Sequence, residues 1–174
     1  DDSYLDYKTG VVKTISNDTY TYDRVLWPLT TNNRTNGIVL LFSTKFSEPY
    51  YIVVKLCFFD TSHLQSIEKT ELAGMIPAQL ICGGRIQVME MCDYSLSDVE
   101  AAEAVLKKGL STFAIFLASI ITKLSAQNCV YGDLKLENIL TTMPTAKDPS
   151  RVVLADIETL DGEIRRGDRA ALVA

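Results

Sequence analysis

The chain has 174 residues, of which 47% are hydrophobic, so it can bury a core and disorder is excluded as its overall state. Its net charge of −5 provides no global basic field, which argues against nucleic-acid binding, although a local cationic pocket can still hold an anionic ligand. The four cysteines form no C-x-x-C pair and the chain has a single histidine, which is not the pattern of a zinc site.

Indications about the cellular compartment conflict. Each of the four cysteines lies in an apolar run, which favours buried free thiols over disulfides and therefore a reduced, cytoplasmic protein. Two N-x-T sequons, at Asn17 and Asn33, carry glycans only in a secreted chain and leave secretion open. The longest apolar stretch, Phe113 to Ile121, is too short to cross a bilayer, so no membrane span is expected.

The first half of the chain begins with strand-like runs. TYTYDRVLW, GIVLLFS and YYIVVKLCFF are rich in β-branched and aromatic residues, and segments of turn-like composition separate them. We therefore expect three consecutive antiparallel strands.

One helix and two more strands complete this half. Residues 62–76 roughly follow a helical period, with Ser62 as N-cap and Pro77 closing the segment. AQLICG and RIQVMEM read as strands joined by Gly83 and Gly84, a pair that suits a two-residue hairpin turn. The first half is thus predicted to hold five strands and one helix.

The second half changes to a helical period. Apolar residues recur at helical spacing and predict one face of a long helix. The stripe consists of Phe113, Phe116, Leu117, Ile120, Ile121 and Leu124. Farther along, ENILTT and RVVLADI predict a short hairpin around the loop MPTAKDPS.

The segment YGDLKLEN lies between the long helix and this hairpin and combines an acid, a base and an amide. Phosphoryl transfer needs a carboxylate to orient the hydroxyl nucleophile and a cation to neutralise developing charge. The segment resembles the catalytic loop H-R-D-L-K-x-x-N of protein kinases. The resemblance implies that Asp133 is the catalytic base, that Lys135 steadies the transferring phosphoryl group as in serine/threonine kinases, and that Asn138 is a Mg²⁺ ligand. The alternative is a solvated loop before a buried strand.

The third predicted strand ends in a lysine. YYIVVKL resembles the V-A-I-K strand of the family, which implies that Lys55 holds the α- and β-phosphates of ATP. Burying an unpaired ammonium is costly, so a lysine in this run needs a reason; the alternative is a lysine on an edge strand. In the following predicted helix Glu71 is the expected partner of Lys55, and Glu68, one turn earlier, is the alternate.

The end of the fifth predicted strand resembles the kinase hinge. In VMEMCDYSL the resemblance implies that Met89 occupies the gatekeeper position. It also implies that backbone groups of Glu90, Met91 and Cys92 bind adenine. The alternative, a simple strand end, is compatible with this role because no side chain needs to be special there.

LADIE resembles the metal-binding D-F-G motif, which implies that Asp156 binds Mg²⁺ together with Asn138. Three features depart from the family pattern. Asp-Ile-Glu lacks the phenylalanine and the glycine, Tyr131 and Gly132 replace the histidine and arginine of H-R-D, and Gly37 alone stands where a glycine-rich loop covers the phosphates. Loss of the arginine argues against activation through a phosphorylated loop.

The resemblance covers the chain from about Tyr20 onward and implies an α+β, protein-kinase-like fold. Residues 1–92 would form an N-lobe with five antiparallel strands and one helix. Residues 93–174 would form a short, largely helical part of the C-lobe with the catalytic loop and the metal-binding strand. Only residues 157–174 follow Asp156, so we expect a fragment or a reduced domain whose incomplete C-lobe is covered by a protein partner or a second copy.

Two functions follow from the resemblance. The first is a kinase-like transferase that binds ATP and Mg²⁺ and transfers phosphate to a hydroxyl acceptor. The second is a pseudokinase, a regulatory interaction module without phosphotransfer, which the missing glycines, the Asp-Ile-Glu triplet and the missing substrate platform favour. A non-kinase α+β protein with an accidental motif is the third possibility. The kinase-like fold requires the helix between the third and fourth predicted strands, so the order of the elements would discriminate between it and this possibility.

Overall fold

The structure is a computed structural model, and it describes residues 4–6, 11–13, 19–28, 37–58, 60–61, 69–142 and 151–157. These residues form an α+β protein with two antiparallel sheets and two α-helices, as the sequence predicts at the level of fold class. The chain divides into two compact units. Asp1–Gln65 with Ala78–Met91 forms the first unit, and Ser66–Pro77 with Cys92–Ala174 forms the second. The division into lobes 1–92 and 93–174 stays a prediction.

The first unit contains the larger sheet, which has seven strands among the described residues in the order β1-β2-β3-β4-β5-β7-β6. The strands are β1 (Tyr4–Asp6), β2 (Val11–Lys13), β3 (Thr19–Trp27), β4 (Gly37–Ser43), β5 (Tyr51–Cys57), β6 (Gln79–Gly83) and β7 (Ile86–Glu90). The last five match the predicted strands. Strands β1 and β2 were not predicted, because runs of three residues are too short to show an alternating pattern.

One face of this sheet holds an apolar core. Side chains alternate between faces along a strand, so Ile52 and Val54 of β5 lie on the face opposite Val53 and Lys55. The core cluster of fully buried residues comprises Tyr20, Phe42, Ile52, Val54 and Val88. The hydroxyl of Tyr20 remains satisfied because it donates to the carbonyl oxygen of Pro49 at 2.8 Å. Burial of this face fixes the register of the central strands, because a shift by one residue would move the apolar side chains to the other face.

Gly37 allows β4 and β5 to approach closely at the start of β4. It lies opposite Cys57 in the antiparallel register. A Cβ atom at this position would overlap the carbonyl oxygen of Leu56 and lie 3.1 Å from the Cα of Cys57. The glycine considered for a phosphate-covering loop is therefore required by the packing of the sheet.

We expect Gly37→Ala to lower the free energy of unfolding by about 1–3 kcal/mol, because backbone atoms must move to admit the methyl group. Urea unfolding followed by circular dichroism measures the change. The matched control is Ser43→Ala at the other end of β4, where a half-buried side chain is replaced and the change should stay within about 0.5 kcal/mol. Equal stabilities of the Gly37→Ala and wild-type chains would contradict the close approach.

The β6–β7 hairpin turns one residue later than predicted. Gly83 pairs with Ile86, so Gly84 and Arg85 form the two-residue turn. Gly84 has φ +58°, a left-handed conformation that glycine adopts without a Cβ penalty. Gly83 remains in the ladder.

Between β5 and β6, the helix predicted over 62–76 is wrong in its second half, which does not form an α-helix. Residues 62–68, including Ser62 and Glu68, lie outside the described part of the chain. The described part is a 3₁₀ turn, Lys69–Leu72, and the Met75 N–H donates to the Leu72 carbonyl oxygen at 2.9 Å. Gly74 then takes φ +76°, and the helical conformation ends at Leu72, four residues before the predicted end.

The second unit contains two helices where one long helix was predicted. They are α1 (Val99–Lys107), capped by the Asp98 carboxylate on the Ala101 N–H at 2.9 Å, and α2 (Leu110–Ala126). Gly109, at φ +115°, separates them. The predicted stripe lies on α2, where Ile120 and Leu124 are buried and Ile121 is 46% exposed.

The smaller sheet belongs to the same unit and has three strands in the described residues, ordered β10-β9-β8. They are β8 (Tyr94–Ser95), β9 (Ile139–Thr141) and β10 (Val152–Leu154). The antiparallel pairing of β9 with β10 confirms the predicted hairpin, whose loop over 143–150 lies outside the described residues. Strand β8 was not predicted.

In the described ranges no single helix is long and apolar enough to cross a bilayer; α1 and α2 reach that length only together and are bent by 100° at their break. The three cysteines whose side chains are described are free thiols. Cys57 is buried as expected, whereas Cys92 and Cys129 are only half-buried. The asparagines of both sequons lie outside the described residues.

Candidate active site

The end of α2 directs the chain into the segment that resembles a catalytic loop. Asn128 has φ +58° and its N–H donates to the Ser125 carbonyl oxygen at 3.0 Å. The Cys129 N–H donates to the Leu124 carbonyl oxygen at 2.9 Å. This pair of bonds around a left-handed residue is a Schellman motif, and asparagine tolerates that conformation. The loop therefore starts from a fixed position on a packed helix.

Asn138 organises the loop through its buried amide. The residue is 9% exposed and ends the 3₁₀ turn Leu136–Asn138. Its Nδ2 donates to the backbone carbonyl oxygen of Asp133 at 2.9 Å and to Asp133 Oδ2 at 3.1 Å. Because both partners are acceptors, the amide nitrogen faces Asp133 and the amide oxygen faces away. The predicted base and the predicted metal ligand are thus neighbours.

Lys135 lies on the same carboxylate. Its Nζ is 2.7 Å from Asp133 Oδ2, a charge-assisted hydrogen bond, while the lysine side chain is 48% exposed. The hydrogen bond to Asp133 raises the pKa of Lys135 above its ordinary value. Burial acts in the opposite direction, and the charges of Asp133, Asp156 and Glu137 add to the rise. Lys135 is therefore a cation at neutral pH, next to the predicted base.

The strand β10 delivers Asp156 to the same junction. The Leu154 N–H donates to the Met75 carbonyl oxygen and the Ala155 N–H donates to the Asn138 carbonyl oxygen, both at 2.8 Å. The Tyr131 hydroxyl donates to the Ala155 carbonyl oxygen at 2.6 Å. Both backbone groups of Ala155 are thus held, one by each end of the YGDLKLEN segment.

Asp156 itself has φ +63°. Aspartate visits this left-handed region more readily than most residues, but a non-glycine residue there still costs about 1–2 kcal/mol. Such a conformation persists where surrounding bonds determine it and is frequent at functional sites. The two bonds to Ala155, the residue before Asp156, hold the backbone at this point.

The donor set at Asn138 and Asp156 fits Mg²⁺. The Asn138 Oδ1 has no hydrogen-bond partner among the described residues, although the side chain is buried, and such an acceptor calls for an explanation. Amide and carboxylate oxygens are ligands that Mg²⁺ accepts from a protein while keeping several waters. In the part of the chain described, no group of three or more His, Cys, Asp or Glu residues has the arrangement of a metal site. The fit therefore rests on one amide and one carboxylate.

Lys55 lies in the first unit, on β5. This strand pairs with β4 on one side and with β7 on the other, and Lys55 stands opposite Val39 and Gln87. The alternative of an edge-strand lysine is therefore wrong. Lys55 is half-buried and keeps part of its aliphatic stem in the sheet.

Glu71 lies in the second unit and contacts a different lysine. The Lys123 Nζ is 3.6 Å from Glu71 Oε2 and donates to the Glu71 carbonyl oxygen at 2.9 Å. Because Lys55 belongs to the other unit, its pairing with Glu71 stays a prediction, as does the alternate with Glu68, which lies outside the described residues.

The residues that resemble a hinge lie where the two units divide. Met89 and Glu90 end β7, Met91 is the last residue of the first unit and Cys92 belongs to the second. The Glu90 N–H donates to the Ala78 carbonyl oxygen, and Glu90 Oε1 accepts from the Ala78 N–H, both at 2.9 Å. The backbone N–H of Glu90 is thus already used, and adenine binding by residues 90–92 stays a prediction.

Four predicted site residues come together within the second unit: Asp133, Lys135, Asn138 and Asp156. Two contacts were not predicted from the sequence: the hydrogen bond from the Tyr131 hydroxyl to the Ala155 carbonyl oxygen and the contact of Lys123 with Glu71. The sequence offered a signal for the Tyr131 hydrogen bond: a tyrosine stands where the kinase motif has a histidine, and its hydroxyl can donate to a backbone carbonyl. No sequence signal pairs Lys123 with Glu71.

No protein-family model matches the sequence, and no curated protein matches it significantly.

Proposed function

We propose that the chain is a kinase-like phosphotransferase that binds ATP with Mg²⁺ and transfers the γ-phosphoryl group to a hydroxyl acceptor. The observation that carries the proposal is the Asn138 junction. The side-chain amide nitrogen of Asn138 donates to two oxygens of Asp133 at 2.9 and 3.1 Å. Its backbone carbonyl oxygen accepts from the N–H of Ala155, the residue before Asp156, at 2.8 Å. A general base and two candidate metal ligands within one locally bonded cluster suit phosphoryl transfer.

The roles follow from the chemistry of each group. The oxygen of the acceptor hydroxyl bonds to the γ-phosphorus, and the bond between the γ-phosphorus and the β-phosphate oxygen of ADP breaks. The Asp133 carboxylate accepts the proton that the hydroxyl loses. Lys135, a cation in contact with Asp133, stabilises the charge on the transferring group. Asn138 and Asp156 would hold Mg²⁺, which when bound neutralises charge on the phosphate oxygens. Lys55 would contact the α- and β-phosphates.

The proposal extends to a protein-kinase-like fold. Its support is the order of elements along the chain: an antiparallel sheet with a lysine on a central strand, then helices, a D-L-K-x-x-N loop, and a hairpin that ends at an aspartate. Helix α2 followed by a Schellman motif supports the loop's assignment. Serine or threonine specificity follows only from Lys135 and is part of the same proposal.

A thermal-shift titration tests nucleotide binding first. A ligand that binds only the folded state raises the melting temperature, so ATP with Mg²⁺ should stabilise the chain and ATP with EDTA should stabilise it less. Asp156→Asn should abolish the Mg²⁺-dependent part. Formation of ADP from ATP in the presence of a serine- and threonine-containing peptide mixture, followed by chromatography, then measures transfer, and the same assay without the peptides measures hydrolysis by water.

The control variant for this titration is Glu100→Gln, which removes one carboxylate from the exposed face of α1. It should keep the full Mg²⁺-dependent shift. Absence of any shift at millimolar ATP in the wild-type chain would overturn the proposed function.

A second candidate function is a pseudokinase that acts as an interaction module. Helix α2 carries no charged residue from Leu110 to Thr122, and Leu110 and Ile115 are 65% and 69% exposed. Exposed apolar side chains on one helix favour a protein contact. ATP binding without release of ADP would support this function over the first.

A further inference from the structure

Residues 69–77 lie between β5 and β6 in the chain, yet they belong to the second unit. The 3₁₀ turn at their start contacts α2, and the side chains of Leu72 and Ile76 are buried. A single 3₁₀ turn has little stability by itself, because one turn of helix fixes several residues for very few hydrogen bonds. The position of this segment therefore depends on its contacts with the rest of the second unit.

Lys123 of α2 binds the segment at two points. Its Nζ donates to the Glu71 carbonyl oxygen at 2.9 Å and lies 3.6 Å from Glu71 Oε2. The Glu71 side chain is 64% exposed, so the ion pair in water contributes little. The bond to the carbonyl oxygen is charge-assisted and joins the ammonium to the main chain. Lys123 therefore holds the backbone of the turn to α2.

The same segment holds the strand that leads to Asp156. The Met75 N–H donates to the Leu72 carbonyl oxygen at 2.9 Å, and the Met75 carbonyl oxygen accepts from the Leu154 N–H at 2.8 Å. Leu154 is the last residue of β10, is fully buried and precedes Asp156 by two positions. A series of bonded groups thus runs from α2 through the backbone of residues 71–75 to the end of β10.

We propose that Lys123 is a positioning residue for Asp156 and acts through the backbone of residues 71–75 and β10. The inference rests on the proposed function, in which Asp156 binds Mg²⁺. This ion demands near-ideal octahedral geometry, so displacement of a ligand weakens its binding. Asp156 has φ +63°, a left-handed conformation that surrounding bonds must hold. The hydrogen bond of Leu154 to Met75 is one of these bonds, and Lys123 keeps its acceptor in place.

Hydrogen exchange in nucleotide-free protein tests the connection without any ligand. Lys123→Met should raise the exchange rate of the Leu154 N–H about tenfold, because local opening of the segment removes the acceptor of this amide. NMR spectroscopy measures the rate. Lys123→Arg can still donate to a carbonyl oxygen and should restore the wild-type rate. The matched control is Lys107→Met, which removes an exposed lysine of α1 that lies 4.0 Å from Glu103 and should leave the rate unchanged.

The Ile120 N–H, in the middle of α2, distinguishes local opening from a general loss of stability. Its exchange rate should change less than twofold in Lys123→Met, because opening of the segment leaves the helix intact. An equal increase at Ile120 and Leu154 would overturn the inference. If Lys123→Met does not fold, Lys123→Gln replaces it.

The Mg²⁺ requirement of ATP binding provides the second readout. At saturating ATP, the Mg²⁺ concentration that gives half of the Mg²⁺-dependent thermal shift should rise about tenfold in Lys123→Met, a typical effect of losing a group that orients a metal ligand. The shift with ATP and EDTA should not change. Unchanged exchange at Leu154, or an unchanged Mg²⁺ requirement, would overturn the positioning role. A wild-type chain without any shift would overturn the proposed function and the Mg²⁺ role with it, while the exchange rates still decide whether Lys123 holds β10.

Discussion

Asp133→Asn should reduce the rate of ADP release from ATP by about 10²–10⁴-fold, which is the usual contribution of a positioned general base. The substitution keeps the size of the side chain and an oxygen that can accept from Asn138 or Lys135. It removes the ability to take a proton at neutral pH. Affinity for Mg²⁺-ATP should stay within about threefold of the wild-type value, because Asp133 is not one of the two candidate metal ligands.

The comparison requires three measurements on each chain: the melting temperature, the dissociation constant for Mg²⁺-ATP and the initial rate of ADP release. Glu100→Gln is again the control and should keep all three. Retention of wild-type turnover in Asp133→Asn would show that another group acts as the base. A wild-type chain that binds Mg²⁺-ATP but releases no ADP would instead support the interaction module.

The sequence predicts those parts of the fold that depend on local pattern. Runs rich in β-branched and aromatic residues, separated by turn-like segments, locate β3 to β7, because such side chains favour the extended conformation of a strand. The β9–β10 hairpin follows for the same reason. Strands of two or three residues carry no such pattern, so β1, β2 and β8 depend on pairing with neighbours that the sequence does not reveal.

Helical period alone also fails to locate breaks. Gly109 separates α1 from α2, and Gly74 ends the helical conformation after Leu72, each by adopting a positive φ. An isolated glycine in a periodic run is tolerated in many helices, so the sequence does not decide between continuation and a break. The position of the apolar stripe on α2 was predicted correctly, but the start of the helix at Leu110 was not predicted.

The candidate site was predicted through spacing within one loop. Asp133, Lys135 and Asn138 are close in sequence, and a short turn after a packed helix brings their side chains together. Asp156 was predicted only through the family resemblance, and its attachment to Asn138 depends on backbone bonds of Ala155. Contacts between residues far apart in sequence, such as Lys123 with Glu71, depend on tertiary packing and leave no local pattern.

Asn138→Asp should lower the free energy of unfolding by about 3 kcal/mol at pH 8, since it places a buried carboxylate beside Asp133, and the half-exposed Lys135 ammonium on Asp133 Oδ2 offsets only part of the repulsion. The new carboxylate would replace a donor that lies 2.9 Å and 3.1 Å from two oxygens of Asp133. In the folded protein the introduced carboxylate would have no hydrogen to donate to the Asp133 oxygens, and two negatively charged carboxylates would lie next to each other. Urea unfolding in the presence of EDTA measures this effect without metal binding.

The penalty of Asn138→Asp should depend on pH in a defined direction. Burial and the neighbouring Asp133 carboxylate would raise the pKa of the introduced group in the folded state above its unfolded value of about 3.9. Below the unfolded value the group is protonated in both states and the charge penalty is absent; as pH rises to the folded value the penalty grows to its full size. The stability difference from wild type should therefore be smaller at pH 4.5 than at pH 8. Asn138→Leu, which removes the same two hydrogen bonds without adding charge, should show a difference from wild type that varies much less over this range. Wild-type stability of Asn138→Asp at pH 8 would mean that the amide nitrogen does not face Asp133, and the junction on which the proposed site depends would be lost.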